Sequence, residues 1–286
     1  MPELPEVETT LRGISNGILQ KKIKSFDCRD RSLRWPVPKD MGSFLKNENF
    51  ESAYRRGKYI ILNLANKKGS VLIHLGMSGK LRISPNLKQP VKHEHWDINF
   101  ADGWTLRYTD IRKFGALLKT KQDPANHVLI KNLGPEPLGN GFNGEYLFKK
   151  SRKRTLPIKN FIMDSKIVVG VGNIYANEAL FMAGIRPTRK SGSISRAKYD
   201  LLSRSIVMTL KEAIEAGGTT LKDYTNAEEA PGYFKKELKV YDRAGEPCLT
   251  CGKALKEIRQ SNRQTVYCTN CQSSVSYTHL RAHETK

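Results

Sequence analysis

The sequence predicts a multidomain α+β protein: a two-layer β-sandwich that begins with a helix, a mainly helical second domain, and a short metal-bound hairpin. Three observations carry this. β-rich segments separated by turn residues occupy the first half, the periodicity turns helical in the second, and four of the five cysteines cluster near the C-terminal end. With 286 residues the chain can bury two modest cores rather than one.

Val7, Leu11, Ile14 and Ile18 recur at helical spacing, so the opening segment is an amphipathic helix, and Pro5, Glu6 and Glu8 suit its first turn. The stretches 59–64, 71–75, 97–100, 104–108 and 115–119 are short and β-rich, as the faces of a sandwich require. On the second of these His74 shares a face with Leu72, while Val71, Ile73 and Leu75 take the other. His74 is therefore either a core-edge side chain or a site residue. The Pro/Gly/Asn-rich stretch 133–141 marks a domain boundary, and beyond it Tyr199, Leu202, Ile206, Leu210 and Ala213 mark a long amphipathic helix. The domains divide at 1–135, 136–240 and 241–272. Residues 273–286 have no apolar periodicity and read as an extraneous or disordered tail.

The chain carries 49 Lys and Arg against 28 Asp and Glu, a formal charge of +21, which points to a polyanionic partner. No run of about 18 apolar residues and no signal-peptide core is present, so the reading is a soluble, intracellular and cytoplasmic protein. Cys248-x2-Cys251 and Cys268-x2-Cys271, sixteen residues apart, fit a four-thiolate zinc site. So short a module folds on its metal, so one structural Zn2+ is expected rather than a catalytic one. Lys253, Lys256, Arg259 and Arg263 line the intervening hairpin, opposed only by Glu257; with this net charge, nucleic-acid contact is favoured over a merely solvated loop. Cys28 reads as a small buried hydrophobe.

Removal of Met1 would leave Pro2 as a secondary amine beside Glu3. An α-amino group has an ordinary pKa of roughly 7.7–8.0, so this terminus is a ready nucleophile. Attack on a sugar C1′ would give an iminium, with Glu3 managing protons. The same residues also make an ordinary helix start. Lys58 stands at a strand mouth, where a solvated edge charge is the usual meaning. His93-Glu94-His95 lacks the four-residue His spacing of a helical zinc site and reads as a polar loop or strand. In 110–115, Arg112 and Phe114 alternate beside a glycine turn, and on a strand or tight loop they would point the same way. With Met77 they could fill the gap left by an extruded base, or simply pack. The stretch 170–175 opens a helix whose amides suit a phosphate, with Asn173 as a cap.

Taken in order, Pro2-Glu3-Leu4-Pro5-Glu6-Val7-Glu8-Thr9, His74-Leu75-Gly76-Met77-Ser78-Gly79, Tyr108 to Gly115, Leu133 to Leu138, Val169 to Tyr175 and the four-cysteine finger resemble the formamidopyrimidine-DNA glycosylase family over about residues 1–272. The resemblance implies a helix-two-turn-helix DNA-binding domain at 136–240 and a DNA cleft between the domains. It implies excision of 8-oxoguanine and formamidopyrimidines from double-stranded DNA by a monomer, followed by β- and δ-elimination at the abasic site. Pro2, Glu3 and Lys58 would be catalytic. His93, Arg112, Lys159, Asn173, Tyr241 and Arg263 would contact DNA, and Met77, Arg112 and Phe114 would fill the void. Gly217, Gly218, Thr219 and Thr220 would open a loop over the extruded base. Alternatives are an oxidised-pyrimidine enzyme of endonuclease VIII type, a noncatalytic zinc-containing DNA binder, and a metal nuclease built on His93, Glu94 and His95. The basic run 149–154 reads as a solvated, phosphate-facing linker.

Overall fold

The computed structural model describes residues 2–85, 87–219 and 238–273. In chain order its main elements are α1 (Leu4–Ile18), β1 (Ile23–Cys28), α2 (Met41–Leu45), β2 (Phe50–Arg56), β3 (Tyr59–Leu64), β4 (Ser70–His74), β5 (Lys80–Ser84), β6 (Glu94–Phe100), β7 (Thr105–Thr109) and β8 (Ala116–Thr120). There follow α3 (Gly144–Ser151), α4 (Ile158–Met163), α5 (Asn173–Met182), α6 (Arg196–Glu215), β9 (Lys256–Gln260) and β10 (Arg263–Tyr267).

Two four-stranded antiparallel sheets, ordered β1-β6-β7-β5 and β2-β3-β4-β8, form the sandwich. Its core takes Ile60, Leu62, Val71 and Ile73 from one sheet and Trp96, Ile98, Leu106 and Tyr108 from the other. The alternation on β4 falls as its sequence predicts. Val71 and Ile73 enter this core, whereas Leu72 packs on the outer face with Ile61 and Ile130. Three strands escape the sequence pattern: β1, β2 and β5. All three are sheet edges, where a polar, charged composition is tolerated because only one neighbour and little core are available.

α1 connects the two halves of the molecule. Val7, Leu11, Ile14 and Ile18 belong to the sandwich core, while Leu4 is buried in the helical core with Ile174, Tyr175 and Leu210. That second core contains all five periodic residues of α6, namely Tyr199, Leu202, Ile206, Leu210 and Ala213. A third, small core of Val240, Leu255 and Val266 lies beside the cysteines of the β9–β10 hairpin. Residues 274–286 of the tail lie outside the described residues, as do Met1 and Thr220.

Candidate active site

Glu3 is buried to 1% exposure, and its carboxylate reaches the far domain. It accepts the amide of Gly172 at 2.6 Å and that of Ile174 at 2.9 Å, at the N-terminus of α5. The N-terminal segment is fixed again by the Leu4 amide, which donates to the Gly170 carbonyl at 3.1 Å. The two glycines make this approach possible. Gly170 sits at φ +83°, and a Cβ on Gly172 would lie 2.3 Å from the Glu3 carboxyl carbon. These contacts correct two readings of the sequence. The amides of Gly172 and Ile174 hold Glu3 rather than standing open to a phosphate, and Asn173 is the first helical residue, with Gly172 at the cap position. A carboxylate supplied from 169 residues away does the capping instead.

Burial raises the Glu3 pKa, with Lys58 opposing and the charge of Glu6 adding to it. Burial pushes the Lys58 ammonium down; Glu3 opposes this and Arg263 adds to it. The turn that presents Lys58 is held by Glu136 of the interdomain stretch. Its carboxylate accepts the Gly57 amide at 2.6 Å and pairs with Arg55 at 2.6 Å and Arg56 at 3.0 Å. Arg55 also pairs with Glu8 of α1 at 2.9 Å. In the sequence Glu136 marks only a boundary; in the fold it positions the turn carrying Lys58. His74 lies beside the same turn, 4.8 Å from the Tyr59 ring, and its Nδ1 accepts the Gly76 amide at 3.0 Å. Burial and the charge of Lys58 bring its pKa down to about 4. A cavity of about 220 Å³ lies between the domains here, lined by Lys58, Tyr59, His74, Met163 and Val169.

The turns that carry Met77, Arg112 and Phe114 come together around one buried acid that has no sequence signal of its own. Asp110 is fully buried. One of its oxygens accepts from the Ser78 hydroxyl at 2.6 Å and the Arg112 amide at 3.1 Å; the other accepts from the Tyr108 hydroxyl at 3.0 Å and the Gly115 amide at 2.8 Å. The Met77 turn and the Arg112–Phe114 turn are thereby one unit. Arg112 and Phe114 are both exposed, with the guanidinium 5.0 Å from the ring centre, so the two side chains do project together. Gly76, at φ +66°, admits the second turn, because a Cβ there would lie 2.4 Å from the Phe114 carbonyl carbon.

His93 sits at φ +73° just ahead of β6, and its carbonyl accepts the Asp110 amide at 3.0 Å. Its neighbours are committed elsewhere. Glu94 accepts from Arg107 at 3.0 Å and from the Val91 amide at 2.8 Å and pairs with Arg82, while His95 is buried with Nε2 2.7 Å from the Asp110 carbonyl. Among the described residues the four cysteines are the only cluster with metal-holding geometry. The metal-nuclease alternative therefore loses its ligands.

Lys159, expected at the DNA surface, is instead 1% exposed. Its ammonium donates to the Gln264 carbonyl and the Thr265 hydroxyl, each at 2.7 Å, docking the hairpin onto α4. Burial and Arg263 bring its pKa down to about 7. Asn177 assists by accepting the Val266 amide at 3.0 Å, and Gln272 donates to the Ile185 carbonyl at 2.9 Å. Arg263 is exposed at the start of β10 and close enough to perturb both Lys58 and Lys159. Tyr241 stands beside Asn173, and burial raises its pKa. Glu178, another residue without a sequence signal, fixes that segment by accepting the amides of Lys239, Val240 and Tyr241 at 2.8 to 3.0 Å. Gly217 and Gly218 have φ of +75° and +85° and turn the chain off α6 onto a buried Thr219.

The cysteine cluster fits zinc. Cys248 and Cys271 are 3.9 Å apart at sulfur, and Cys251 and Cys268 are 3.5 Å apart. A tetrahedron of Zn–S bonds of about 2.3 Å has edges of roughly 3.8 Å. The protein holds one structural zinc ion through these four residues.

Residues 1–117 match the formamidopyrimidine-DNA glycosylase N-terminal domain, 133–225 the H2TH domain of the same family, and 245–273 a zinc finger found in FPG and IleRS. A formamidopyrimidine-DNA glycosylase from Cellvibrio japonicus is 53% identical over 272 residues, spanning 95% of this chain and all of the relative. A mutant of the Lactococcus lactis FPG in complex with DNA containing Fapy-dG is 33% identical with a TM-score of 0.87, covering 95% of this chain and 100% of that one. The Thermus thermophilus protein is 32% identical with a TM-score of 0.85, covering 95% and 98%. The sandwich that carries Glu3, the helical domain that caps it and the finger that bears Arg263 are thus matched as a set, and the chain belongs to the formamidopyrimidine-DNA glycosylase family.

Proposed function

We propose that this protein is a base-excision repair enzyme that removes 8-oxoguanine and formamidopyrimidines from double-stranded DNA and then cleaves the abasic site. The single observation that carries this reading is the buried Glu3, raised in pKa and locked to α5, directly after the proline that becomes the N-terminal amine once Met1 is removed. Pro2 attacks C1′ as the glycosidic bond breaks, and the base leaves. Glu3 takes the proton that the attacking amine sheds and delivers it to the sugar ring oxygen as the ring opens to the iminium. The iminium acidifies the C2′ proton; its loss expels the 3′ phosphate, and a second elimination expels the 5′ phosphate. Water then releases Pro2. Lys58 and Arg263 supply positive charge to the flanking phosphates, with Asn173 and Tyr241 beside them. Met77, Arg112 and Phe114 occupy the vacated stack, Arg112 facing the estranged base, and His93 holds the backbone near them. Lys159 serves the DNA indirectly, by seating the hairpin.

The division into 1–135, 136–240 and 241–272 assigns nucleophile, phosphate grip and finger to successive units. Among the described residues no helix is long and apolar enough to cross a membrane. We place the protein's work in the cytoplasm, with the chromosome, as a monomer. With roughly six to ten phosphates neutralised, affinity falls by orders of magnitude between low and physiological salt.

Single-turnover incision of duplexes carrying 8-oxoguanine opposite cytosine, or thymine glycol, tests the reading. Faster incision at 8-oxoguanine with both phosphates eliminated supports it. Preference for thymine glycol would transfer the protein to the endonuclease VIII type, and binding without incision would leave a noncatalytic DNA binder.

A further inference from the structure

Lys113 lies between Arg112 and Phe114, in a chain whose charge of +21 invites every lysine to be read as a phosphate contact. Its side chain does not join theirs. The ammonium is 2.6 Å from the Asp30 carboxylate and donates to the Ser32 hydroxyl at 3.1 Å, both in the segment that joins β1 to α2. The acceptor is itself held, because the other Asp30 oxygen takes the Ser32 amide at 2.8 Å and the Ser32 hydroxyl at 2.6 Å. Hydrogen bonds from Lys113 and Ser32 keep the Asp30 carboxyl well below the usual carboxylate range, so the pair is charged at neutral pH. Two further contacts join the same segments. The Arg34 amide donates to the Gly115 carbonyl at 3.2 Å, and His95, whose carbonyl accepts the Arg29 amide at 2.8 Å, brings Nε2 to 2.7 Å from the Asp110 carbonyl. Lys113 sits at φ +56°, a left-handed backbone that a lysine keeps only where its surroundings fix it.

We infer that Lys113 is a positioning residue rather than a phosphate contact: through Asp30 it braces the turn that carries Arg112 and Phe114 against the β1–α2 segment. The inference rests on the glycosylase reading above, in which those two side chains enter the vacated stack, and adds a residue that sets their pose. Asp110 holds the two ends of the turn, at the Arg112 and Gly115 amides, and Lys113 holds its middle. The two roles for a lysine leave different traces. One bound to phosphate displaces a counterion from DNA, so its removal makes the salt dependence of binding shallower by about 0.9. One committed to Asp30 leaves that slope alone. The roles also differ at Asp30. Removing this acid frees a phosphate-seeking lysine and does not slow extrusion, whereas removing the partner of a brace loosens the turn.

Lys113→Met should keep the parent's salt slope for duplex binding and slow the 2-aminopurine signal of base extrusion beside 8-oxoguanine by about fivefold, the size expected for one partly exposed, hydrogen-bonded ion pair. Asp30→Ala should slow extrusion by a similar factor. The double variant should be no slower than either single one, because both changes remove the same contact. A slope shallower by about 0.9 for Lys113→Met would make the residue a phosphate contact and overturn the inference. Extrusion at the parent's rate in either single variant, with or without a lower unfolding temperature, would make the pair general support and overturn it too, as would additive losses in the double variant. A parent protein that binds the duplex without incising it would overturn the glycosylase reading, and the extrusion rates and salt slopes would still decide for or against the brace.

Discussion

The Glu3 carboxylate receives the Gly172 amide at 2.6 Å, so the acid next to Pro2 is held by the opposite domain. Gly172→Ala drives a methyl group into that contact, 2.3 Å from the carboxyl carbon. Overpacking of this kind costs about 1–3 kcal/mol, and displacement of the acid costs about a hundredfold in turnover. Thermal unfolding and single-turnover incision read the two effects separately.

Asp110 presents two acceptor oxygens to four donors. Asp110→Asn turns one oxygen into a donor facing two donors. The expected loss is about 2–3 kcal/mol of stability, together with slower extrusion of the base, because the Met77 and Arg112–Phe114 turns are no longer one piece. Urea unfolding checks the first; fluorescence of a 2-aminopurine beside the lesion checks the second.

His74 gives a pH dependence whose sign is fixed. Its pKa falls from 6.5 to about 4 in the fold, burial being the main cause and Lys58 the next. The folded state keeps it neutral while the unfolded chain takes a proton, so its contribution to stability is present above 6.5 and is lost as pH falls through about 4. His74→Asn retains an acceptor near the Gly76 amide and removes the titration. The urea midpoint of the variant should fall less than that of the parent between those two pH values.

Zinc withdrawal should release the hairpin and leave the sandwich folded. The hairpin's own core is small, the metal supplies most of its folding energy, and its loss strips Lys159 of both partners. A chelator should abolish duplex binding while the strand signal in circular dichroism persists, and added zinc should restore binding.

The sandwich, the α6 core and the finger are legible in the sequence because each rests on periodicity or spacing: Val71 and Ile73 against Leu72, Tyr199 through Ala213, and two Cys-x2-Cys pairs. Edge strands β1, β2 and β5 are not, because an edge strand needs little apolar patterning. Within the site, Met77, Arg112 and Phe114 are visible as motif residues, half-buried in the first case and exposed in the other two, whereas Asp110, Glu136 and Glu178 are invisible as organisers. Their partners are backbone amides and side chains brought in by tertiary folding, and a carboxylate that binds amides looks in sequence like any surface acid. Lys159 errs the same way, as a lysine in a basic chain whose burial only the docked hairpin reveals.

The central claim is that Pro2 is the nucleophile. Borohydride reduction of the mature protein, its mass verified to lack Met1, on a duplex with 8-oxoguanine opposite cytosine, followed by peptide mass mapping, tests it directly. The account predicts a covalent sugar adduct on the N-terminal peptide at Pro2. An adduct at Lys58 or another lysine, or none from protein with a free Pro2 and a zinc-loaded finger, would contradict it.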